Sequence, residues 1–118
     1  EIESYMLHQG KQFTERFDAN SYLRLLDAWQ RFDLVGESNS KTKFEVFNNA
    51  KQQKFLIFSI DSDVCYYPEQ QYELSNLLEK SNVHYVHITV HSKQGHDSFL
   101  LEPNLFTPHI KSLLENEI

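Results

Sequence analysis

The sequence predicts an α/β fold, and three observations carry that prediction. Two short apolar runs, FLIFSI at 55–60 and VHYVHITV at 83–90, read as strands. Between them EQQYELSNLLEK places apolar side chains at helical spacing. A strand, a helix and a strand in that order make a right-handed crossover between parallel strands, and a further helix follows.

Taken from the start of the chain, residues 1–17 carry apolar positions at helical spacing, with Tyr5 or Met6, His8 or Gln9, Phe13 and Phe17 on one face. Gly10 weakens that helix by about 1 kcal/mol relative to Ala. DANS at 18–21 supplies capping side chains, and Leu23, Leu26, Trp29 and Phe32 then recur at near-helical intervals. The two segments are expected to form antiparallel helices joined by a short turn. GESNSKTK at 36–43 is a loop by composition, and a short amphipathic helix is expected around Phe44 to Asn49. FLIFSI is nearly continuous in apolar character, the pattern of a parallel strand buried on both faces. DSDVCYYP is an acidic turn that delivers Pro68 to the first position of a helix, with Glu69 favouring its dipole. Tyr72 or Leu74, Leu77 and Leu78 form that helix's apolar stripe, and Val86, Ile88 and Val90 share one face of the second strand. SKQGHDSFL at 92–100 is a loop, and NLFTPHIKSLLENE closes with a helix that has Pro108 near its start. Two parallel strands cannot bury their own faces, so the chain is expected to be the end of a larger α/β protein.

The 118 residues make one domain or part of one, and 40% hydrophobic with 14% aromatic residues is ample for a packed core. A formal charge of −6, with no basic stripe, argues against nucleic acid or an anionic membrane as partner. The apolar run at 55–60 is too short to span a bilayer, and no signal-peptide pattern opens the sequence. Cys65, the single cysteine, cannot form an internal disulfide, which fits a cytoplasmic setting. An opening Glu in place of Met leads us to expect a processed or truncated chain.

The chemistry gathers after the two strands. Gly95 permits a sharp turn, with positive φ if needed, that presents His96 at the end of the sheet. The same stretch also fits a polar loop whose histidine faces solvent. Asp63 follows the first strand and His96 the second, 33 residues later, so a parallel sheet brings both to one carboxyl edge. There a carboxylate can accept the imidazole Nδ1–H and leave Nε2 to act as a base. No Gly-x-Ser-x-Gly elbow surrounds Gly10, Gly36 or Gly95, so a serine nucleophile is missing. Cys65 is an alternative nucleophile, although nothing in the spacing turns its thiol toward His96, and a partly buried small hydrophobe is the plainer reading. His84 and His87 fall on opposite strand faces and His91 has no acidic or cysteine partner at metal-ligand spacing, so no metal is expected. Asp61 reads as a loop or capping carboxylate.

Three stretches in order carry a family resemblance: ESYMLHQGKQFTERFDANSYLRLLDAW, FLIFSIDSDVCYYPEQQYEL and GHDSFLLE. They resemble the lid-helix, acid-bearing and histidine-bearing segments of the homoserine O-acetyltransferases, enzymes of the α/β-hydrolase fold. The resemblance runs from Glu3 to about Leu114, with Cys65 where an apolar residue such as leucine is usual and Ser98 where alanine is common. It implies the C-terminal part of that fold: 1–50 a helical lid segment, 51–118 the last two parallel strands and helices of the core. It implies a ping-pong transfer of acetyl from acetyl-CoA, a co-substrate with no bound cofactor beside it, to L-homoserine in methionine biosynthesis. By matched motifs Asp63 is the catalytic acid of the triad, His96 the catalytic base, and Asp97 a substrate-binding carboxylate for the amino group. Asp97 also fits a loop carboxylate bonded to its own backbone. The nucleophilic serine would lie outside these residues, leaving the chain inactive by itself. The family further implies a homodimer through the lid helices, with Tyr5, Phe13, Trp29 and Phe32 as candidates for lid packing or subunit contact. A succinyl-using homoserine transferase, a serine O-acetyltransferase and a non-catalytic interaction module remain as alternatives.

Overall fold

The computed structural model describes residues 1–115. Four helices precede the first strand: α1 (Ile2–Arg16), α2 (Ala19–Arg31), α3 (Leu34–Glu37) and α4 (Lys43–Asn48). The last three start at side-chain caps. Asp18 accepts from Ser21 N at 2.8 Å, Asp33 from Val35 N at 3.0 Å, and Thr42 from Glu45 N at 3.2 Å. The stretch expected as loop at 36–43 is therefore shorter, because Asp33 caps one more helical turn that reaches Glu37.

The expected antiparallel pairing of α1 and α2 does not occur among the described residues. The helices meet at their junction, where Phe13 stacks on Phe17 and meets the edge of Tyr22. The extended backbone of Phe17 and Asp18 sets one helix onward from the other instead of folding it back. Ile2, Tyr5, Met6 and Leu7 are consequently exposed. The radius of gyration is 18.1 Å, where a compact domain of this length has about 13.5 Å.

The core forms around β1 (Lys54–Ile60) and β2 (His84–Val90), which pair in parallel from Lys54 opposite His84 to Ile60 opposite Val90. The connecting helix α5 (Pro68–Lys80) begins with Pro68 in its first turn and Glu69 near the positive end of its dipole. On one face of the sheet Ile57 packs with Leu78 and Val83, and Phe47 of α4, Phe55, Leu74 and Tyr85 close around them. Leu78 is fully buried, which contributes about 2 kcal/mol. Of the two positions considered for the stripe of α5, Leu74 joins this cluster, whereas Tyr72 stays half exposed. Phe47 makes α4 part of the core packing although it lies before position 51. On the opposite face Ile60 and Val90 pack with Phe106, flanked by Phe58 and Ile88. Beyond β2 come a 3-10 turn at Gly95–Asp97, α6 (Ser98–Leu101), a second 3-10 turn at Pro103–Leu105 and α7 (Thr107–Leu114). The closing helix thus starts three residues later than its sequence suggests, because Pro103 opens a separate turn before it. Its expected end at 116–117 lies outside the described residues.

Candidate active site

The parallel register places the residues that follow β1 and β2 side by side. Asp61 N donates to the carbonyl of Val90 at 3.1 Å, and the Asp61 carboxylate accepts from Ser92 N at 3.1 Å and from His91 Nδ1 at 2.8 Å. Asp61 is the loop carboxylate its sequence position suggests, with its pKa lowered by the bonds from His91 and Ser92. His91 thereby gains an acidic partner that spacing alone did not reveal, 30 residues away in the chain. Among the described residues no cluster of three or more His, Cys, Asp or Glu could hold a metal ion.

Asp63 is buried, 5% exposed, in the turn after β1. Its Oδ1 accepts the backbone N–H groups of Cys65 at 2.8 Å and Tyr66 at 3.0 Å, and its Oδ2 pairs with His96 Nδ1 at 2.8 Å. Burial alone raises the Asp63 pKa, but the bonds from Tyr66, His96 and Cys65 outweigh it and hold the group below the ordinary carboxylate value. Asp63 is therefore ionised near neutral pH. The structure brings together Asp63 and His96, the two residues that the sequence placed at one sheet edge.

The turn that carries His96 is tightly built. Gly95 has φ +61°, a left-handed conformation, and its N–H donates to Ser62 Oγ at 2.9 Å. Ser98, fully buried, has its one hydroxyl hydrogen within reach of both the Gly95 carbonyl and Ser92 Oγ, and Ser92 in turn donates to Glu102. His96 is flanked by two rings, Tyr66 at 5.0 Å and Phe99 at 5.6 Å between centroids. With Nδ1 engaged by Asp63, the imidazole has Nε2 left for chemistry, and 40% of the side chain is exposed. A cavity of about 410 Å³ adjoins the pair, lined by Asp63, Tyr66, His96, Phe99, Phe58 and Phe106 among others. A larger groove of about 710 Å³ runs between α3–α4 and α5, but it contains neither member of the pair and no histidine. The smaller cavity is the one that matters.

Asp97 stands next to His96 but is exposed, makes no cap bond and does not line the cavity. The alternative of a carboxylate bonded to its own backbone is not what the fold adopts. Cys65 is exposed, which corrects the expectation of a partly buried small hydrophobe. It contributes its backbone N–H to Asp63, and among the described residues its thiol makes no hydrogen bond with His96. Ser62, Tyr66 and Phe99 escaped the sequence reading, and Ser98 entered it only as a departure from the family's usual alanine. Only the closeness of the first two to Asp63, and of the others to His96, could have pointed to them.

No family model matches the chain. Curated proteins named homoserine O-acetyltransferase do. The relative from Methanohalobium evestigatum is 47% identical over 102 residues, covering 86% of this chain and 20% of its own length. The relative from Methanococcus vannielii is 36% identical over 118 residues, covering 100% of this chain and 23% of its own length. The relative from Haemophilus influenzae is 38% identical over 112 residues, covering 94% of this chain and 30% of its own length. The chain thus spans between a fifth and a third of the length of these relatives, and the resemblance carried by its three motifs is shown. Among the described residues no helix is long and apolar enough to cross a membrane.

Proposed function

We propose, from this kinship with the homoserine O-acetyltransferases, that the chain is the C-terminal part of such an enzyme and supplies the acid and base of a Ser-His-Asp acyltransferase. The observation that carries the reading is the 2.8 Å bond between a buried carboxylate and the Nδ1 of a histidine whose other nitrogen is left for chemistry. In this reading residues 1–50 belong to a helical lid and 51–118 to the end of an α/β-hydrolase core.

His96 Nε2 removes the proton from a serine Oγ that lies outside these 118 residues, and that oxygen attacks the thioester carbonyl of acetyl-CoA. The imidazolium returns the proton to the departing thiolate, so CoA leaves as the thiol and an acetyl-serine ester remains. The imidazole next deprotonates the hydroxyl of L-homoserine, which attacks the ester. Serine leaves with the proton restored. Asp63 fixes the tautomer of His96 throughout and stabilises each imidazolium as it forms. Asp97, exposed beside His96, offers a carboxylate for the substrate ammonium. The exposed apolar residues of α1 and α2 suit a homodimer contact.

Assay of the intact protein tests the reading, with homoserine against serine as acceptor and acetyl-CoA against succinyl-CoA as donor. Preferred turnover of homoserine with acetyl-CoA is the expected result. Preference for serine or succinyl-CoA would move the assignment within the fold, and no turnover with any pair would favour an interaction module. The 118 residues alone should be inactive. Replacement of Asp97 by Asn is expected to raise the KM for homoserine about tenfold while the KM for acetyl-CoA holds, since a lost charge–ammonium bond is worth roughly 1.4 kcal/mol.

A further inference from the structure

We infer that Tyr66 is a positioning residue for His96, acting through its ring, on which Trp29 of helix α2 stacks. The inference rests on the acyltransferase reading for its kinetic consequence, and on geometry alone for the rest.

Three contacts meet at Tyr66, and a fourth reaches His96 from its other neighbour. Its backbone N–H donates to Asp63 Oδ1 at 3.0 Å, which ties the residue to the same carboxylate that holds His96. Its ring lies 5.0 Å from the imidazole, tilted by 47°. The ring of Trp29 stacks on Tyr66 at 6.5 Å, nearly parallel at 22°. Phe99 closes on the imidazole with its edge, 5.6 Å away and 77° inclined. The imidazole is therefore held by Asp63 at Nδ1 and by two aromatic rings, one from the turn after β1 and one from α6.

A single hydrogen bond at Nδ1 leaves the imidazole free to swing about that bond, and the swing carries Nε2 away from any fixed nucleophile. Rings that pack against the imidazole oppose the swing, and a misplacement of about 1 Å is enough to cost a hundredfold in rate. The Tyr66 hydroxyl makes no hydrogen bond among the described residues, so the ring and not the hydroxyl holds the histidine. Trp29 is 68% exposed and sits on a helix that has little other contact with the core. Its stacking on Tyr66 links the seat of α2 to the orientation of His96.

The test uses the intact protein and its Tyr66→Phe, Tyr66→Ala, Tyr66→Leu and Trp29→Ala variants. Steady-state kinetics with acetyl-CoA and homoserine are read beside NMR of isotopically labelled histidine, with His96→Gln marking the His96 resonances. Tyr66→Phe is expected to keep kcat within about twofold and to leave the His96 resonances in place. Tyr66→Ala is expected to lower kcat about ten- to a hundredfold at nearly constant KM and to shift the His96 resonances as the ring current is lost. Tyr66→Leu keeps bulk for folding yet lacks a ring, so it should move the resonances as Ala does. Trp29→Ala should give a smaller loss in the same direction.

Wild-type kcat in Tyr66→Ala, a Phe variant as damaged as the Ala variant, or His96 resonances unmoved in both Ala and Leu variants would each overturn the inference. An intact protein without acyl-CoA turnover would sink the proposed function instead, and the resonances would then decide the positioning role by themselves.

Discussion

On the proposed acyltransferase chemistry, replacing Asp63 by Asn should silence the intact protein without unfolding it, and the hydrogen bonds say why. Oδ1 of Asp63 accepts two backbone N–H groups, from Cys65 and Tyr66, so only an oxygen fits that position. An asparagine must keep its carbonyl oxygen there and turn its NH2 toward His96 Nδ1, at the place where Oδ2 now sits 2.8 Å away. That NH2 donates, so Nδ1 must accept and the imidazole hydrogen moves to Nε2. The nitrogen that should take a proton from serine then already carries one. Where a triad acid is made unable to set the tautomer, kcat falls on the order of 10⁴-fold, which is about 5.5 kcal/mol at 1.36 kcal/mol per decade. The assay is thiol release from acetyl-CoA in the presence of homoserine, with the intact protein. A urea midpoint close to wild type would show that both backbone bonds survive. Asp61→Asn serves as the control, because that exposed carboxylate bonds His91 and Ser92 and touches neither His96 nor the cavity. It should stay within about threefold. An Asp63→Asn enzyme within tenfold of wild type would refute the reasoning, since Asp63 could not then be setting the tautomer.

Other consequences follow from the same contacts. His87 lies between β2 and α5, with Nδ1 on Ser75 Oγ and Nε2 on Ser59 Oγ, and burial lowers its pKa below the ordinary imidazole value. Ser75 spends its hydrogen on the Gln71 carbonyl, so it accepts from His87 Nδ1–H, and Ser59 donates to Nε2. Neutral His87 accepts the Ser59 hydrogen at Nε2, and protonation there removes that acceptor. Its contribution to stability is full above about pH 6.5, the unfolded value, and is lost as pH falls from there toward the lower folded pKa, because the unfolded state then binds more protons. Urea midpoints at pH 5.5 and 7.5 should differ more in wild type than in His87→Gln, and equal differences would remove His87 from the account. Gly95→Ala forces a left-handed φ on a residue with a Cβ, at about 1–2 kcal/mol. The nearest atom to that Cβ is the Ser62 carbonyl oxygen at an ordinary 3.6 Å, so the cost is conformational and not steric. Relaxation of that strain should displace His96 and lower kcat beyond the loss of stability; unchanged kcat with unchanged urea midpoint would count against a required positive φ.

The sequence alone determined whatever depends on neighbours within a few residues. Strand runs, the Pro68 helix start, the cap at Asp18 and the glycine before His96 are local patterns, and each is legible because backbone sterics and periodicity act over one or two turns. Asp63 and His96 were also within reach, since parallel strands of equal length bring their ends to one edge. What is set by packing escaped. The α1–α2 pairing failed because an apolar stripe says that a face needs cover but not what covers it. Cys65 went to the surface because the turn that points Asp63 inward turns its neighbours outward. Only the tertiary structure decided that His91 meets Asp61, that His87 sits between two serines, and that Tyr66 and Phe99 flank His96. Apart from Phe99, three residues from His96, those contacts join different elements, some across about thirty residues, and only the register of the sheet and the packing around it place them together.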